Sequence, residues 1–271
     1  MRESAMPRAV VEPTVYMADG ISVDRYQSQE PNESSKTLVL VHGGTQASWA
    51  WEQMAPFLAQ AGHDVHALNW SGRGGSANVT DEALLRLSIR DVVRDIHKVT
   101  SRLDKVPTLI GHSMGAMACQ LYAAEHRVQA LVLLAPVVPK EASPHPVEVL
   151  IDLDCLWSPP SREVAFEMFF DGLTLEDQQR YQLRIVPESP LRCYEATRFT
   201  LSVNIERIGV PAMIVSGNDD PLTPAETGKA LARLYNAAFS ILPGVGHNMM
   251  LGERAAQVSN IVLPWLRTVA G

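Results

Sequence analysis

The chain has 271 residues, of which 46% are hydrophobic and 20% are charged, and its net charge is −7 at pH 7. A chain of this length buries roughly three quarters of its unfolded surface, so its core needs no disulfides or metals. The acidic balance excludes the diffuse positive charge that non-specific nucleic-acid binding requires. We therefore expect one globular domain with an insertion, and no nucleic-acid partner.

The cysteines and the apolar segments indicate the cellular setting. Cys119, Cys155 and Cys193 are widely spaced and form no CxxC pair, which indicates reduced thiols rather than a disulfide framework or a zinc site. No segment approaches the roughly 18–20 apolar residues of a membrane span, and Met1 to Asp19 lack the apolar run of a signal peptide. We expect a cytoplasmic protein with no membrane partner, no metal and no organic cofactor.

Short, continuous apolar runs recur along the chain, as in parallel strands that are covered on both faces. A hairpin is predicted first, and the later strands are predicted at 37–41, 65–68, 107–110, 130–134, 211–215 and 239–242. The intervening amphipathic segments are predicted as helices at about 49–61, 81–103, 114–125, 224–235 and 253–268. This alternation predicts an α/β fold with a mostly parallel central sheet and helices on both faces.

The strand pattern stops between about Val137 and Glu206, where seven prolines separate short helical pieces. We predict that residues 137–206 form a helical cap, or lid, inserted between the core segments 1–136 and 207–271. The apolar side chains of this insertion either face a pocket or form a small core of their own: Leu150, Leu153, Leu156, Trp157, Phe166, Met168, Phe169 and Phe170. Exposed members would equally form a dimer contact, so a monomer and a homodimer both stay open.

The motif Gly111-His-Ser-Met-Gly115 lies between a predicted strand and a predicted helix. A strand that runs directly into a helix makes a tight, strained turn, and the two flanking glycines allow neighbouring chain to approach while Ser113 presents its hydroxyl. The helix N-terminus adds backbone N–H groups and a positive dipole end, which favour a developing oxyanion. This context favours Ser113 as a nucleophile.

A serine nucleophile needs a base and an orienting carboxylate. The predicted strand 211–215 is followed by a loop with Asp219 and Asp220, and the predicted strand 239–242 by a glycine-rich loop that ends in His247. Because the carboxyl ends of parallel strands form the ligand crevice of an open sheet, we expect both loops to meet Ser113 there.

On these residues the chain resembles the α/β-hydrolase fold superfamily from about residue 12 to residue 268. Its order of Ser, Asp and His along the chain is the order that this superfamily uses. The resemblance implies that Ser113 is the nucleophile and that His247 is the general base and then the general acid. It implies that Asp220 orients the imidazole.

The choice among the carboxylates also comes from the resemblance. Asp220 is preferred over Asp219 because the loop 217–224 matches the common family pattern G-x-x-D-x-x-x-P at Asp220. Some relatives take the acid from the loop after the preceding strand instead. Asp152 and Asp154 are therefore the outside candidates.

The segment 42–45 reads His-Gly-Gly-Thr and follows the first long strand. It resembles the turn from which the family builds half of its oxyanion hole, the other half being the N–H that follows the nucleophile. The resemblance assigns the hole to the backbone N–H groups of Gly44 and Met114. We predict that Thr45, His112 and Trp157 contact the substrate.

Two further patterns are interpreted as structural. The segment 72–77 satisfies G-x-G-x-x-A after a strand, but the next predicted helix begins only near Asp81, so a pyrophosphate would lack a helix N-terminus. The overlapping segment 69–76 resembles instead the family's D-x-x-G-x-G-x-S loop, with Asn69 and Arg73 in place of the usual Asp and His. The pair in His63-x-x-His66 has no third metal ligand nearby.

The identity of the nucleophile narrows the range of reactions that the fold could catalyse. Ser113 excludes the epoxide hydrolases and dehalogenases of this fold, which need a carboxylate at the nucleophile position. The plant-type hydroxynitrile lyases, which the chain partly resembles, carry Thr where Gly43 stands and Lys where Asn248 stands. Both differences favour the esterase branch. We expect a serine hydrolase that cleaves a small to medium, largely apolar carboxylic ester or lactone through an acyl-enzyme. The alternatives are a carbon–carbon bond hydrolase or lyase with the same triad, and a receptor-like ligand-binding protein. The acidic protein and the apolar lid argue against a highly anionic substrate, although local arginines such as Arg192 or Arg198 could still bind a carboxylate.

Overall fold

A computed structural model describes residues 11–28, 30–32, 34–142 and 144–269. The first ten residues and the last two of the predicted core, and residue 143 of the predicted cap, lie outside the described residues. The strands of the central sheet are, in chain order, β1 (Thr14–Ala18), β2 (Ile21–Tyr26), β3 (Thr37–Val41), β4 (Asp64–Leu68), β5 (Thr108–His112), β6 (Ala130–Leu134), β7 (Ala212–Gly217) and β8 (Ala238–Leu242).

The strands lie side by side in the order β1-β2-β4-β3-β5-β6-β7-β8. The β1–β2 and β2–β4 pairs are antiparallel, whereas every pair from β4 to β8 is parallel. The carboxyl ends of the six parallel strands therefore lie at one edge, and the loops that follow them meet there. The prediction of a mostly parallel α/β sheet is confirmed.

Helices cover both faces of this sheet. The α-helices of the described residues are, in chain order, α1 (Met54–Gln60), α2 (Asp81–Leu84), α3 (Val92–Thr100), α4 (Met114–Ala123), α5 (Arg162–Met168), α6 (Leu175–Gln182), α7 (Pro190–Arg198), α8 (Ala225–Tyr235) and α9 (Arg254–Thr268). Leu38 and Leu40 of β3 join the core beneath α1 and α9, and Val39 and Val41 join the core beneath α3, α4 and α8. Successive strand residues point to opposite faces, so a doubly covered strand must be apolar throughout. Within the described ranges, no helix combines the length and apolar character that crossing a membrane requires.

The predicted helix 81–103 is interrupted. A 3₁₀ turn at Ile89–Asp91 separates α2 from α3, and Ser88 caps this turn in a capping box. The Ser88 hydroxyl also donates to the Glu195 carboxylate at 2.6 Å. The break is therefore set by capping and by a contact that is distant in sequence, and the apolar pattern alone does not show it.

Residues 137–206, called the cap below, lie between β6 and β7 and contain α5, α6 and α7. Some apolar side chains of this segment line a pocket, whereas Phe170 joins the core beneath α1 and α9 rather than a separate core of the insertion. Phe170 is fully buried, Trp157 and Met168 line a cavity, and Leu150 is 95% exposed.

Candidate active site

Ser113 lies in the turn between β5 and α4, at the carboxyl edge of the sheet. Its φ is +52° and its ψ is −120°, a backbone conformation that a residue with a side chain rarely adopts. A Cβ at Gly111 would lie 2.6 Å from the Ala116 Cα, and a Cβ at Gly115 would lie 2.2 Å from the His42 carbonyl oxygen. Both motif glycines are therefore required by close approach of the backbone.

His247 follows β8 and lies between Ser113 and Asp220. Its Nε2 is 2.9 Å from the Ser113 Oγ, and its Nδ1 is 2.9 Å from the Asp220 Oδ2. All three residues are buried. Because the carboxylate accepts a hydrogen bond from the Nδ1–H group, the proton of the neutral imidazole stays on Nδ1, and Nε2 is free to accept the proton of the serine hydroxyl. The structure thus brings together the three residues nominated from sequence, in an arrangement able to activate the hydroxyl.

The Asp220 carboxylate is held by its own loop. The N–H groups of Leu222 and Thr223 donate to its Oδ1 at 2.9 and 3.0 Å, and the Thr223 hydroxyl donates to its Oδ2 at 2.6 Å. Burial raises the pKa of Asp220, but the charge and hydrogen bond of His247, together with the Thr223 bonds, outweigh burial and lower that pKa below its usual value. Asp220 is therefore held as an oriented anion.

The other candidate carboxylates lie elsewhere. Asp219 is exposed, and its Oδ1 accepts a hydrogen bond from the Asn218 side chain at 3.0 Å. Asp152 and Asp154 are exposed on the cap, where the Asp154 N–H donates to the Asp152 carboxylate at 3.0 Å. In the described chain, the carboxylate hydrogen-bonded to the imidazole belongs to the second aspartate of the loop after β7.

Gly44 and Met114 adjoin each other beside the nucleophile. A Cβ at Gly44 would lie 2.7 Å from the Met114 Sδ, so the two residues are in contact. The Met114 N–H belongs to the first residue of α4 and has no acceptor within the helix. The preceding amide, that of Gly43, donates to the Gln46 Oε1 at 3.0 Å, and the Gln46 Nε2 donates to the Asn248 Oδ1 at 2.7 Å. Gln46 therefore links the glycine loop, residues 42–45, to the loop that carries His247.

A cavity of about 610 Å³, its open mouth included, lies over Ser113. The lining includes the three residues that the sequence analysis predicts to contact the substrate, namely Thr45, His112 and Trp157. No described residue of its lining is Asp, Glu, Lys or Arg, and most of the lining surface is apolar. Such a cavity suits a neutral, largely apolar ligand.

His112 also contacts the backbone of the loop that carries His247. Its Nε2 donates to the His247 carbonyl oxygen at 3.0 Å. Complete burial and the neighbouring His247 place the pKa of His112 well below its usual value. His112 is therefore a neutral imidazole that fixes the backbone of the histidine loop.

The patterns interpreted as structural have structural partners. The His63 Nδ1 accepts the Lys36 N–H at 3.1 Å, and the His66 Nδ1 is 2.9 Å from the Tyr16 hydroxyl. Across the described part of the chain, no group of three or more His, Cys, Asp or Glu side chains is placed to hold a metal ion.

A buried ionic cluster lies beside the site, and the sequence alone does not reveal it. Glu188 of the cap is fully buried, with the Arg73 Nη2 at 3.0 Å from its Oε2 and the Arg192 Nη1 at 3.2 Å from its Oε1. Arg198 pairs with Glu148 at 2.8 Å. Both arginines that were considered for an anionic substrate are therefore engaged within the protein. The available sequence signal was Arg73 itself, which departs from the family pattern.

Glu188 is expected to make the fold sensitive to acid. Burial raises its pKa, but the two guanidinium groups and two N–H donors reverse this and lower the pKa from 4.5 to about 2. At pH values between these two pKa values, the unfolded chain binds more protons than the folded one. The free energy of unfolding therefore falls as the pH falls. Between about pH 5 and pH 3, the wild type should lose about 2 kcal/mol more than Glu188→Gln. Urea unfolding at both pH values measures this, and equal losses in the two proteins would contradict it.

Comparison with known proteins agrees with the fold and with the family suggested above. Residues 38–261 match the profile of the alpha/beta hydrolase family. Norfluorocurarine synthase 1 from Strychnos nux-vomica is 27% identical over 161 residues, which are 58% of this chain and 58% of that protein. Methylesterase 7 from Arabidopsis thaliana is 27% identical over 187 residues, 63% of this chain and 67% of that protein.

The architecture has solved counterparts as well. The crystal structure of a bromoperoxidase from Bacillus anthracis matches with a TM-score of 0.70 and 19% identity, over 93% of this chain and 99% of that chain. The parallel sheet with helices on both faces thus defines an α/β hydrolase fold. The chain belongs to the alpha/beta hydrolase family and is a hydrolase enzyme.

Proposed function

We propose that the protein hydrolyses a small to medium, largely apolar carboxylic ester or lactone through an acyl-enzyme on Ser113. The observation that carries this proposal is the continuous hydrogen-bonded chain from the Ser113 Oγ through His247 to Asp220, with both contacts at 2.9 Å. A serine hydroxyl is unreactive near neutral pH unless a base removes its proton, and this chain supplies that base and orients it.

The proposed reaction has two halves. The Ser113 Oγ attacks the carbonyl carbon while the His247 Nε2 accepts its proton, and the N–H groups of Gly44 and Met114 bind the resulting oxyanion. The tetrahedral intermediate collapses, the carbon–oxygen bond to the leaving group breaks, and His247 protonates the departing alkoxide. His247 then takes a proton from a water molecule as its oxygen attacks the acyl carbon. The second tetrahedral intermediate collapses, the bond to the Ser113 Oγ breaks, and His247 returns the proton to that oxygen, which releases the acid and the free serine.

The substrate class follows from the cavity. Its lining is neutral and mostly apolar, and Arg192 and Arg198 of the cap are paired with Glu188 and Glu148. A free carboxylate on the substrate would lose its hydration there without gaining a counter-ion. The name of Methylesterase 7, a relative by sequence, is in line with ester hydrolysis.

Position 43 supports an esterase over a hydroxynitrile lyase. A Cβ at Gly43 would lie 2.8 Å from the His112 Nδ1 and 3.1 Å from the Ser113 Cβ. A threonine does not fit there without moving the nucleophile turn. Asn248 follows the histidine and binds Gln46, so the place of the lyase lysine holds a neutral amide.

Ser113 is expected to react once per chain with a fluorophosphonate probe, because its hydroxyl is activated by His247. Intact-protein mass spectrometry measures the added mass. Ser113→Ala should abolish labelling. Ser216→Ala should not, since the Ser216 hydroxyl is buried in β7 and has no hydrogen-bond partner among the described residues.

The same preparation is then tested on esters and lactones of increasing acyl length, and on diketones and cyanohydrins. Labelling together with ester or lactone turnover supports the proposal. Labelling with cleavage of diketones or cyanohydrins alone would replace it with carbon–carbon bond chemistry. Folded protein that binds these compounds but is neither labelled nor active would be a ligand-binding protein.

A further inference from the structure

Thr45, which follows Gly44, is bound on both sides by the cap. Its N–H donates to the Glu188 Oε2 at 3.0 Å, and its carbonyl oxygen accepts the Val186 N–H at 3.0 Å. Its φ is +62°, which is unfavourable for a β-branched residue. Such a conformation persists only where the surrounding structure fixes it. The cap thus holds the residue next to the proposed oxyanion donor in a strained conformation.

The cap segment that binds this threonine is itself fixed. Glu188 and Trp157 exchange two backbone hydrogen bonds, each of 2.9 Å. The Arg73 Nη2 donates to the Pro187 carbonyl oxygen at 2.8 Å, and the Ser189 N–H donates to the Glu188 Oε1 at 2.8 Å. Since Arg73 belongs to the loop after β4, these bonds attach the segment to the core as well as to the cap.

The charges of the cluster agree with a role beside an oxyanion. A lone carboxylate there would oppose negative charge, but two guanidinium groups on one carboxylate give the cluster a net positive charge. The Arg192 guanidinium lies over the Trp70 ring at 4.9 Å, and that ring stacks on His42 at 4.3 Å. The His42 Nδ1 donates to the Gly43 carbonyl oxygen at 2.8 Å. A second series of contacts, through Arg192, Trp70 and His42, therefore links Glu188 to the same glycine loop.

We propose that Glu188 is a positioning residue, through which the cap sets the geometry of the oxyanion hole. By binding the Thr45 N–H, its carboxylate fixes the loop so that the neighbouring Gly44 N–H points at the carbonyl oxygen of the substrate. The inference rests on the proposed acyl-enzyme reaction. Cap and core then form one catalytic unit, because the hole is complete only when the segment 186–188 is seated on the loop.

Glu188→Gln tests this, with Glu195→Gln as the matched control. Glutamine keeps the size of the side chain but removes the charge that holds the two arginines, so the loop should loosen. Glu195 is also a buried cap glutamate that joins cap to core, but its carboxylate binds the Ser88 hydroxyl at 2.6 Å and the Ile89 N–H at 2.8 Å. It does not bind the glycine loop, so it reports the cost of a weakened cap alone.

The expected result is a change in kcat without a comparable change in KM. Glu188→Gln should lower kcat for the best ester about 10- to 100-fold and change KM less than about threefold, because a misplaced oxyanion donor acts on the transition state. The inhibition constant of a trifluoromethyl ketone, which forms a charged tetrahedral adduct, should rise in proportion. Glu195→Gln should leave both within about threefold of wild type. Equal effects of the two variants would overturn the proposal.

A second variant and a measurement without turnover complete the test. Val186→Pro removes the N–H that Thr45 accepts and leaves the charged cluster intact, and it should lower kcat in the same selective way. Hydrogen exchange of a peptide that contains 43–47 should be faster in Glu188→Gln and in Val186→Pro than in wild type and Glu195→Gln. Unchanged exchange would overturn the inference even if esters are hydrolysed. A wild type that hydrolyses no ester would overturn the proposed function instead, and the exchange rates would still decide whether Glu188 orders the loop.

Discussion

Replacement of Ser113 with alanine is expected to lower kcat by about 10⁴-fold or more, as loss of a triad nucleophile generally does. The variant lacks the oxygen that forms the acyl-enzyme, so the remaining activity comes from the oxyanion donors and substrate binding alone. Alanine keeps the Cβ, so the backbone at φ +52° and the close approaches at Gly111 and Gly115 are unchanged. Steady-state kinetics on the best ester, with a thermal melt of both proteins, measures the effect.

Ser216→Ala is the control for this variant. The Ser216 side chain is fully buried and its hydroxyl lacks a partner within the described ranges, so its removal should cost little stability and little activity. If the Ser113→Ala enzyme melts like wild type but retains roughly a tenth of the activity, the covalent mechanism is wrong.

The core of the fold could be predicted because its signal is local. The central parallel strands are covered on both faces, so β3 reads as the buried run Thr37–Val41, apolar after its first residue, and β6 reads as the apolar run Ala130–Leu134. The break within the predicted helix 81–103 could not be predicted in this way. It depends on the capping box of Ser88 and Asp91, which leaves the apolar pattern unchanged, and on the contact of Ser88 with Glu195, which is 107 residues away in the chain.

The candidate site also contains residues that could be predicted from the sequence and one that could not. Ser113, His247 and the loop of Asp220 follow three parallel strands directly, so the topology of the sheet is enough to bring them together. Glu188 follows no strand, and an isolated glutamate in a proline-rich insertion reads as a solvated side chain. Its importance comes from complete burial and from pairing with Arg73, which only the folded cap creates.

Asp220→Asn is expected to lower kcat by about 10⁴-fold, with little effect on KM. The asparagine NH₂ cannot take the Oδ1 position, because the N–H groups of Leu222 and Thr223 already donate there. It must take the Oδ2 position, which faces the His247 Nδ1. The NH₂ then donates to Nδ1, the imidazole proton moves to Nε2, and His247 can no longer accept the serine proton. Steady-state kinetics at neutral pH measures the loss.

Asp219→Asn is the matched control, because it makes the same change at the neighbouring residue of the same loop. The Asp219 side chain is exposed and bonds to the Asn218 side chain, so its replacement should change kcat less than about threefold. The pair of variants tests the assignment directly. A large loss in Asp219→Asn beside an active Asp220→Asn would transfer the orienting role to Asp219, whereas large losses in both would mean that the loop conformation, rather than one carboxylate, sets the activity.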